Sequence, residues 1–235
     1  MVKSANIIKI FAGTPGFYVI GPKVTTSGNY VPIYPDLRKT FSDPRRLKII
    51  CQEILKFIRD KKIKFDCIIG GVTAGIPIAT ALSLMSGKLH GYVRKEPKKG
   101  GTAQALEGNF KKGMTAILVD DATGHGASKV KFIKNIRQAG LKINWVIVPV
   151  SRSNRRQDAK KYRRWIKPSK VRLQSFCDLY DIINYSYRHK IISKDARTLL
   201  HWYVDDAFGW QKDKTKLAFF RNYLKTKTHK SKSGV

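Results

Sequence analysis

Two adjacent carboxylates, Asp120 and Asp121, follow an apolar run over 115–119, and small residues continue from them to Ser128. Carboxylates accept hydrogen bonds from sugar hydroxyl groups. A loop of small residues that leads into a helix presents backbone N–H groups, which bind anions such as phosphate. The stretch therefore predicts a pocket for a sugar phosphate.

A second apolar stretch, 65–69, leads through the glycine-rich turn 70–75 into a helical pattern over 76–82. A second anion could bind at this helix start. The alternative is structural, because many crossovers between a strand and a helix need glycine for close packing.

The segment 94–102 is polar, basic and glycine-containing. It is either a solvated surface loop or a lid that brings cations to a bound phosphate. His125, inside the first loop, also leaves two interpretations open, an exposed imidazole or a further contact to the anion.

Strands that alternate with helices position these loops, and the order predicts an α/β fold with a parallel sheet. In such a sheet, ligands bind beyond the carboxyl ends of the strands. Pro44 is predicted to begin the first clear helix, with Asp43 or Ser42 as its cap, whereas residues 1–40 predict irregular strands and turns. Further elements are predicted at 90–94, 129–139, 144–150, 154–165, 170–174, 178–189, 194–208 and 212–225.

The charge balance is strongly basic, with 47 Lys and Arg against 16 Asp and Glu and a net charge of +31. Such a chain is expected to bind polyanions. Aromatic residues lie among the basic residues after position 151, a pattern that suits RNA or DNA. The structural alternative is that most of these rings belong to the core and that the cations form solvated faces.

No apolar run is long enough to span a membrane, and the first residues do not form a convincing signal peptide. Three cysteines, Cys51, Cys67 and Cys177, lie far apart and have no metal-binding spacing. They indicate reduced thiols, so we expect a cytoplasmic protein without a membrane segment.

In chain order, these segments resemble the type I phosphoribosyltransferases, most closely the orotate phosphoribosyltransferases. The acid pair and its loop resemble that family's signature for 5-phosphoribosyl 1-diphosphate (PRPP). Other segments of this sequence resemble further motifs of the family. Residues 71–81 resemble its pyrophosphate loop, and 92–98 and 106–108 resemble the two ends of its catalytic loop. Residues 26–38 resemble its orotate-side segment, 150–152 the position of the arginine that faces the orotate carboxylate, and 176–185 its closing segment.

The resemblance implies transfer of a phosphoribosyl group from PRPP to orotate or a related base, giving a nucleoside monophosphate and pyrophosphate. It implies Mg²⁺ as cofactor, a homodimer, and a parallel sheet flanked by helices. We expect a phosphoribosyltransferase-like domain over 1–187, with an N-terminal hood over 1–40. A basic helical C-terminal extension over 188–235 is predicted to end in a disordered tail from Thr226.

The resemblance also assigns roles to residues, none of them as a metal ligand. The catalytic residues would be Lys98, Asp120 and Asp121, and the base would contact Thr26, Ile33, Tyr34 and Arg152. PRPP and its phosphates would contact Thr73, Ala74, Gly75, Arg94, Lys95, Lys99, Ala122, Thr123, Gly124, His125, Gly126, Ala127 and Ser128.

Some positions depart from the family pattern. The family usually has threonine where Gly124 stands, threonine or glycine at Ala127, histidine at Gly100 and aspartate at Lys99 and Ser151. These differences leave an alternative open, in which the fold has reduced or lost catalysis and binds RNA, DNA or the ribosome.

Overall fold

The computed structural model describes residues 2–24, 30–96, 104–124, 126–152 and 166–232. In these ranges, a mostly parallel sheet is flanked by helices, and a two-stranded hairpin forms a separate small sheet. The α/β class predicted from the sequence is confirmed.

The hairpin consists of β1 (Tyr18–Val24) and β2 (Tyr30–Pro35). The main sheet contains β3 (Cys67–Gly71), β4 (Leu89–Val93), β5 (Leu106–Glu107), β6 (Thr115–Val119), β7 (Ala122–Thr123), β8 (Lys142–Ser151) and β9 (Arg172–Asp178). Its order is β5–β4–β3–β6–β8, and both β7 and β9 also pair with β8. The β4–β5 pair is antiparallel, and the other pairs are parallel.

The middle of the sheet is buried because its strands are continuous apolar runs. In β3 and β6, Ile68 lies opposite Ile117 and Ile69 opposite Leu118, and all four side chains are almost fully buried. Such runs suit parallel strands that helices cover on both faces. Since β3, β6 and β8 run in the same direction, the residues that follow them meet at one edge.

The described ranges contain α1 (Ala5–Ala12), α2 (Arg38–Phe41), α3 (Pro44–Asp60), α4 (Gly75–Ser86), α5 (Ala127–Gln138), α6 (Leu179–Arg188), α7 (Lys194–Asp205) and α8 (Lys214–Lys232), and residues 166–169 are also helical. The predicted start of α3 is confirmed, because the Asp43 carboxylate accepts the Arg45 N–H at 2.9 Å and Pro44 is the first helical residue. None of the helices in the described ranges has the length and apolar character needed to cross a bilayer.

Helix α1 was not expected, because residues 1–40 predict only strands and turns. The Ser4 hydroxyl accepts the Ile7 N–H at 3.2 Å and caps the helix. Ile7 and Phe11, one helical turn apart, are fully buried. This cap and spacing are the signal by which the helix could have been predicted.

The helices after residue 187 share the hydrophobic core of the sheet. Leu199 and Leu200 of α7 and the indole of Trp210 are 0% exposed and belong to the same cluster as Ile117. The last helix, α8, runs to Lys232, past the point where the sequence predicts a disordered tail. The basic helix predicted over 154–165 lies outside the described residues.

Leu199→Ala should lower the free energy of unfolding by about 2–5 kcal/mol, because truncating a fully buried leucine leaves a cavity. Urea unfolding followed by circular dichroism measures the change. Ile191→Ala is the control, since Ile191 is 46% exposed in the same part of the chain and should cost under about 0.5 kcal/mol. Equal costs would contradict a core shared with the C-terminal helices.

Candidate active site

The two predicted carboxylates lie at the end of β6 and face different surroundings. Asp120 is 5% exposed, and one of its oxygens, Oδ1, accepts the Asp121 N–H at 2.9 Å. The side chain of Asp121 is partly exposed, and its Oδ1 accepts the Ala122 N–H at 2.7 Å. The acid pair is thus divided into a buried member and one that a ligand can reach.

Asp120 forms a buried ion pair with Lys129, whose ammonium group donates to Oδ2. Burial raises the pKa of the Asp120 carboxyl to about 6, and the nearby Asp121 adds to this rise, while Lys129 opposes it. The sequence interpretation placed Lys129 in a helix and gave it no role. Lys129 lies at helical spacing from Phe132, Ile133 and Ile136, so it belongs to the buried face of α5. This spacing was the signal in the sequence for a buried lysine.

The glycine loop after β3 packs directly on Asp120. A Cβ atom at Gly71 would lie 2.8 Å from Asp120 Oδ2, and one at Gly75 would lie 2.5 Å from the Val119 carbonyl oxygen and 3.1 Å from Asp120 Cα. Only glycine allows so close an approach. The predicted contact residues Thr73 and Ala74 form the turn between these glycines, next to the acid pair.

Both loops end in a helix N-terminus that no side chain caps. Helix α4 starts after Ala74 and α5 after Gly126, and neither preceding residue makes a side-chain capping hydrogen bond. The first N–H groups of a helix have no partner within the helix and carry partial positive charge. The two starts therefore suit two anionic groups of one ligand.

The candidate phosphate loop begins with β7, which pairs with the end of β8. Ala122 and Gly126 are buried, Gly124 and Ser128 are half-buried, and Ala127 is exposed. The hydroxyl of Thr123 is buried and has no hydrogen-bond partner in the described structure. An unpaired buried hydroxyl suits a ligand oxygen or a water at this loop. His125 lies outside the described residues.

Arg152 is brought to the acid pair by the end of β8. Its guanidinium Nη2 lies 3.7 Å from Asp121 Oδ2, and its backbone N–H donates to the Thr123 carbonyl at 2.7 Å. The residue predicted to face the base and the carboxylate predicted to face the ribose are therefore neighbours.

The hairpin and α7 complete this side of the site. Ile33 is 2% exposed and packs in the core, whereas Tyr34 is half-buried. Helix α7 packs against β2 of the hairpin. Burial raises the pKa of Tyr203 on α7, while the charge of Arg152 opposes this rise and Tyr34 adds to it. Sequence reasoning missed Tyr203, because nothing along the chain joins α7 to this edge. Thr26 lies outside the described residues.

The start of the predicted catalytic loop is held at the edge of the sheet. The Arg94 guanidinium lies 3.6 Å from the Glu107 carboxylate, and Asn135 of α5 donates to the Arg94 carbonyl at 2.7 Å. Lys95 is exposed. The other predicted cations of this loop, Lys98 and Lys99, lie outside the described residues.

Comparison with known proteins agrees with this arrangement. An orotate phosphoribosyltransferase from Sulfolobus acidocaldarius is 30% identical over 191 residues, which cover 81% of this chain and 92% of that protein. The crystal structure of orotate phosphoribosyltransferase from Aeropyrum pernix matches with a TM-score of 0.63 and 28% identity, over 76% of this chain and 97% of that one.

The structure of Leishmania donovani UMP synthase matches with a TM-score of 0.71 and 25% identity, over 86% of this chain but 42% of that longer one. No family model matches the chain. The fold and the loops that follow its strands define a type I phosphoribosyltransferase. Within that class, the chain belongs to the orotate phosphoribosyltransferase family.

Gly75→Ala should lower the free energy of unfolding by about 1–3 kcal/mol, because the new methyl group would overlap the Val119 carbonyl. Gly124→Ala is the matched control, since a Cβ there meets no atom within 4 Å and should cost under about 0.5 kcal/mol. Urea unfolding compares the two variants. Similar stabilities would contradict the tight contact between the glycine loop and the acid pair.

Proposed function

We propose that this protein transfers the phosphoribosyl group of PRPP to orotate, forming a nucleoside monophosphate and pyrophosphate in pyrimidine biosynthesis. One observation carries the proposal. Asp121, Arg152 and the starts of α4 and α5 lie together at the carboxyl ends of the parallel strands. Membership of the orotate phosphoribosyltransferase family supports orotate as the base.

The parts of PRPP fit different loops of the site. The 5′-phosphate would bind the N–H groups and hydroxyls of the loop 122–128, and the diphosphate the loop 73–75 at the start of α4. Asp121 would accept hydrogen bonds from the ribose hydroxyls, since its side chain is partly exposed and directly precedes the loop 122–128. The sugar is thereby held between its two anionic ends.

Positive charge is needed where pyrophosphate leaves. The orotate nitrogen attacks the anomeric carbon as the bond to pyrophosphate breaks, through an oxocarbenium-like transition state of the kind seen in glycosyl transfer. Arg94 and Lys95, with Lys98 and Lys99 further along the same loop, would stabilise the charge that grows on the diphosphate.

Mg²⁺ is part of the proposal. No group of three His, Cys, Asp or Glu side chains in the described ranges could hold a metal ion. We assign the coordination of Mg²⁺ to oxygens of PRPP and water, in keeping with its preference for phosphates. Bound there, Mg²⁺ would supply charge neutralisation for the diphosphate.

The base would lie on the side of Arg152 and Tyr34. A guanidinium matches the geometry of a carboxylate such as that of orotate. Arg152 is partly exposed, and its contact with Asp121 is loose at 3.7 Å, so it is available to a substrate carboxylate.

Arg152→Ala should raise the KM for orotate about tenfold or more, because a charge-assisted hydrogen bond is lost, and should leave the KM for PRPP within about twofold. Spectrophotometric assay of orotate consumption with PRPP and Mg²⁺ measures both constants. Arg188→Ala, on the distant end of α6, serves as control and should match the wild type. Absence of nucleotide formation by the wild-type protein would refute the proposed reaction.

The alternative function, binding of RNA, DNA or the ribosome, rests on the net charge of +31. Many of the aromatic rings that suggested base stacking are core residues, such as Trp210 and Phe220, which are 0% and 5% exposed. The basic segment 153–165 lies outside the described residues. Phosphoribosyl transfer is therefore the function that we put forward.

A cytoplasmic location belongs to the same proposal. Cys51, Cys67 and Cys177 are free thiols, and each is buried. Unpaired cysteines suit a reducing compartment.

We also propose a homodimer, as the family resemblance implies. Leu84 of α4 and Leu89 of β4 are 83% and 47% exposed and line one groove, next to Met85. Exposed apolar side chains that cluster in this way mark interaction surfaces. The cluster includes Leu89, the first residue of β4, and the other end of this strand leads into the predicted catalytic loop.

The Leu84→Asp/Leu89→Asp double variant should turn a dimeric protein into a monomer, since burying two carboxylates at an apolar interface is unfavourable. Sedimentation velocity measures the state. Ile191→Asp, which also replaces an exposed apolar residue, should remain dimeric. A wild-type protein that sediments as a monomer would refute the dimer.

A further inference from the structure

The pair formed by Lys129 and Asp120 is enclosed within the protein. The two residues are 4% and 5% exposed, and the Lys129 ammonium donates to Asp120 Oδ2. The other oxygen, Oδ1, accepts the Asp121 N–H at 2.9 Å. Both oxygens of Asp120 thus accept hydrogen bonds from the protein itself. The role of this carboxylate is therefore to hold the buried residues around it more than to bind a ligand.

The position of Lys129 is unfavourable for a cation on its own. It is the third residue of α5, where the partial positive charge of the helix N-terminus repels an ammonium group. A buried charge also requires a partner. The ring of Phe132, 5.9 Å from the ammonium nitrogen, adds a weaker contact. The Asp120 carboxylate is therefore the counter-ion that makes this placement possible.

The ion pair lies where the candidate binding segments meet. A Cβ atom at Gly71 would lie 2.8 Å from Asp120 Oδ2 and 2.7 Å from Phe132 Cε2. The glycine loop, the end of β6 and the first turn of α5 consequently touch at one point. Asp120 thus contacts both segments that lead into the anion-binding helix starts.

The charges at this point also matter for a ligand that carries several negative charges. In the described structure, the charged groups that act on Asp120 are Lys129 and Asp121. Without Lys129, the buried charge of Asp120 would add to the charge of Asp121 and increase the repulsion of PRPP. The positive charge of Lys129 offsets the negative charge of Asp120. The three side chains together therefore carry about the same net charge as Asp121 alone.

We propose that Lys129 is a positioning residue of the PRPP site, which acts through its ion pair with Asp120. The pair sets the spacing between the pyrophosphate loop and the 5′-phosphate loop, and it leaves Asp121 as the carboxylate that contacts the ribose. This proposal rests on the proposed function and adds a residue to which the motif gives no role.

The test combines Lys129→Met, Asp120→Asn and the double variant, with Lys134→Met on the exposed face of α5 as the matched control. Isothermal titration measures the Kd of PRPP with Mg²⁺ and the Kd of ribose 5-phosphate. Steady-state kinetics measures the KM for orotate, and circular dichroism checks that each variant is folded.

Lys129→Met should weaken PRPP binding about tenfold or more in the wild-type background, as loss of a charged hydrogen bond implies. It should cause no further loss in the Asp120→Asn background, because its action depends on Asp120. The KM for orotate should stay within about twofold, which a general loosening of the fold would not allow. Lys134→Met should bind PRPP like the wild type.

Unchanged PRPP affinity in Lys129→Met, or an equal loss in both backgrounds, would overturn the proposal. If Lys129→Met does not fold, the comparison of Asp120→Asn with the double variant decides: equal affinity supports the proposal and a further loss of about tenfold refutes it. The Kd of ribose 5-phosphate can be measured whether or not the protein catalyses the reaction. A wild-type protein that binds this sugar phosphate but makes no nucleotide would therefore refute the reaction while the role of Lys129 is still tested.

Discussion

The close approach of the glycine loop to the buried Asp120 is the constraint on which the site depends. Gly71 and Gly75 leave no room for a side chain against Asp120 and Val119, so the pyrophosphate loop rests on the end of β6. Lys129 binds the same carboxylate from the first turn of α5. The two helix starts that would bind the anions of PRPP are thus both fixed to the buried Asp120 at one strand end.

This arrangement gives the two aspartates different tasks. They are adjacent in the chain, and the motif treats them alike, yet one faces the core and the other faces Arg152. The burial that raises the pKa of Asp120 also makes it unsuited to exposed chemistry, while Asp121 keeps contact with the open side.

The C-terminal helices take part in the fold and approach the base side of the site. Their apolar residues, including Leu199, Leu200 and Trp210, fill the core beside the sheet. The charges of Arg152, which follows β8, and of Tyr34 in the hairpin act on the pKa of Tyr203, although the three residues are far apart in the chain. The basic character of this region therefore accompanies a structural role, and cations such as Lys194, Lys214 and Arg221 are exposed on helices that bury apolar residues.

The sequence by itself determined the fold class, the order of strands and helices in the sheet domain, and the family. Those conclusions need only local patterns: apolar runs, the Asp43 cap and the spacing of the glycines around the acid pair. Helix α1 was missed although its cap and spacing were present. Only the tertiary structure decided that Lys129 pairs with Asp120, that Ile33 is a core residue and that Tyr203 reaches the base side. These facts depend on which faces of separate elements meet, and packing between distant segments leaves no periodic trace along the chain.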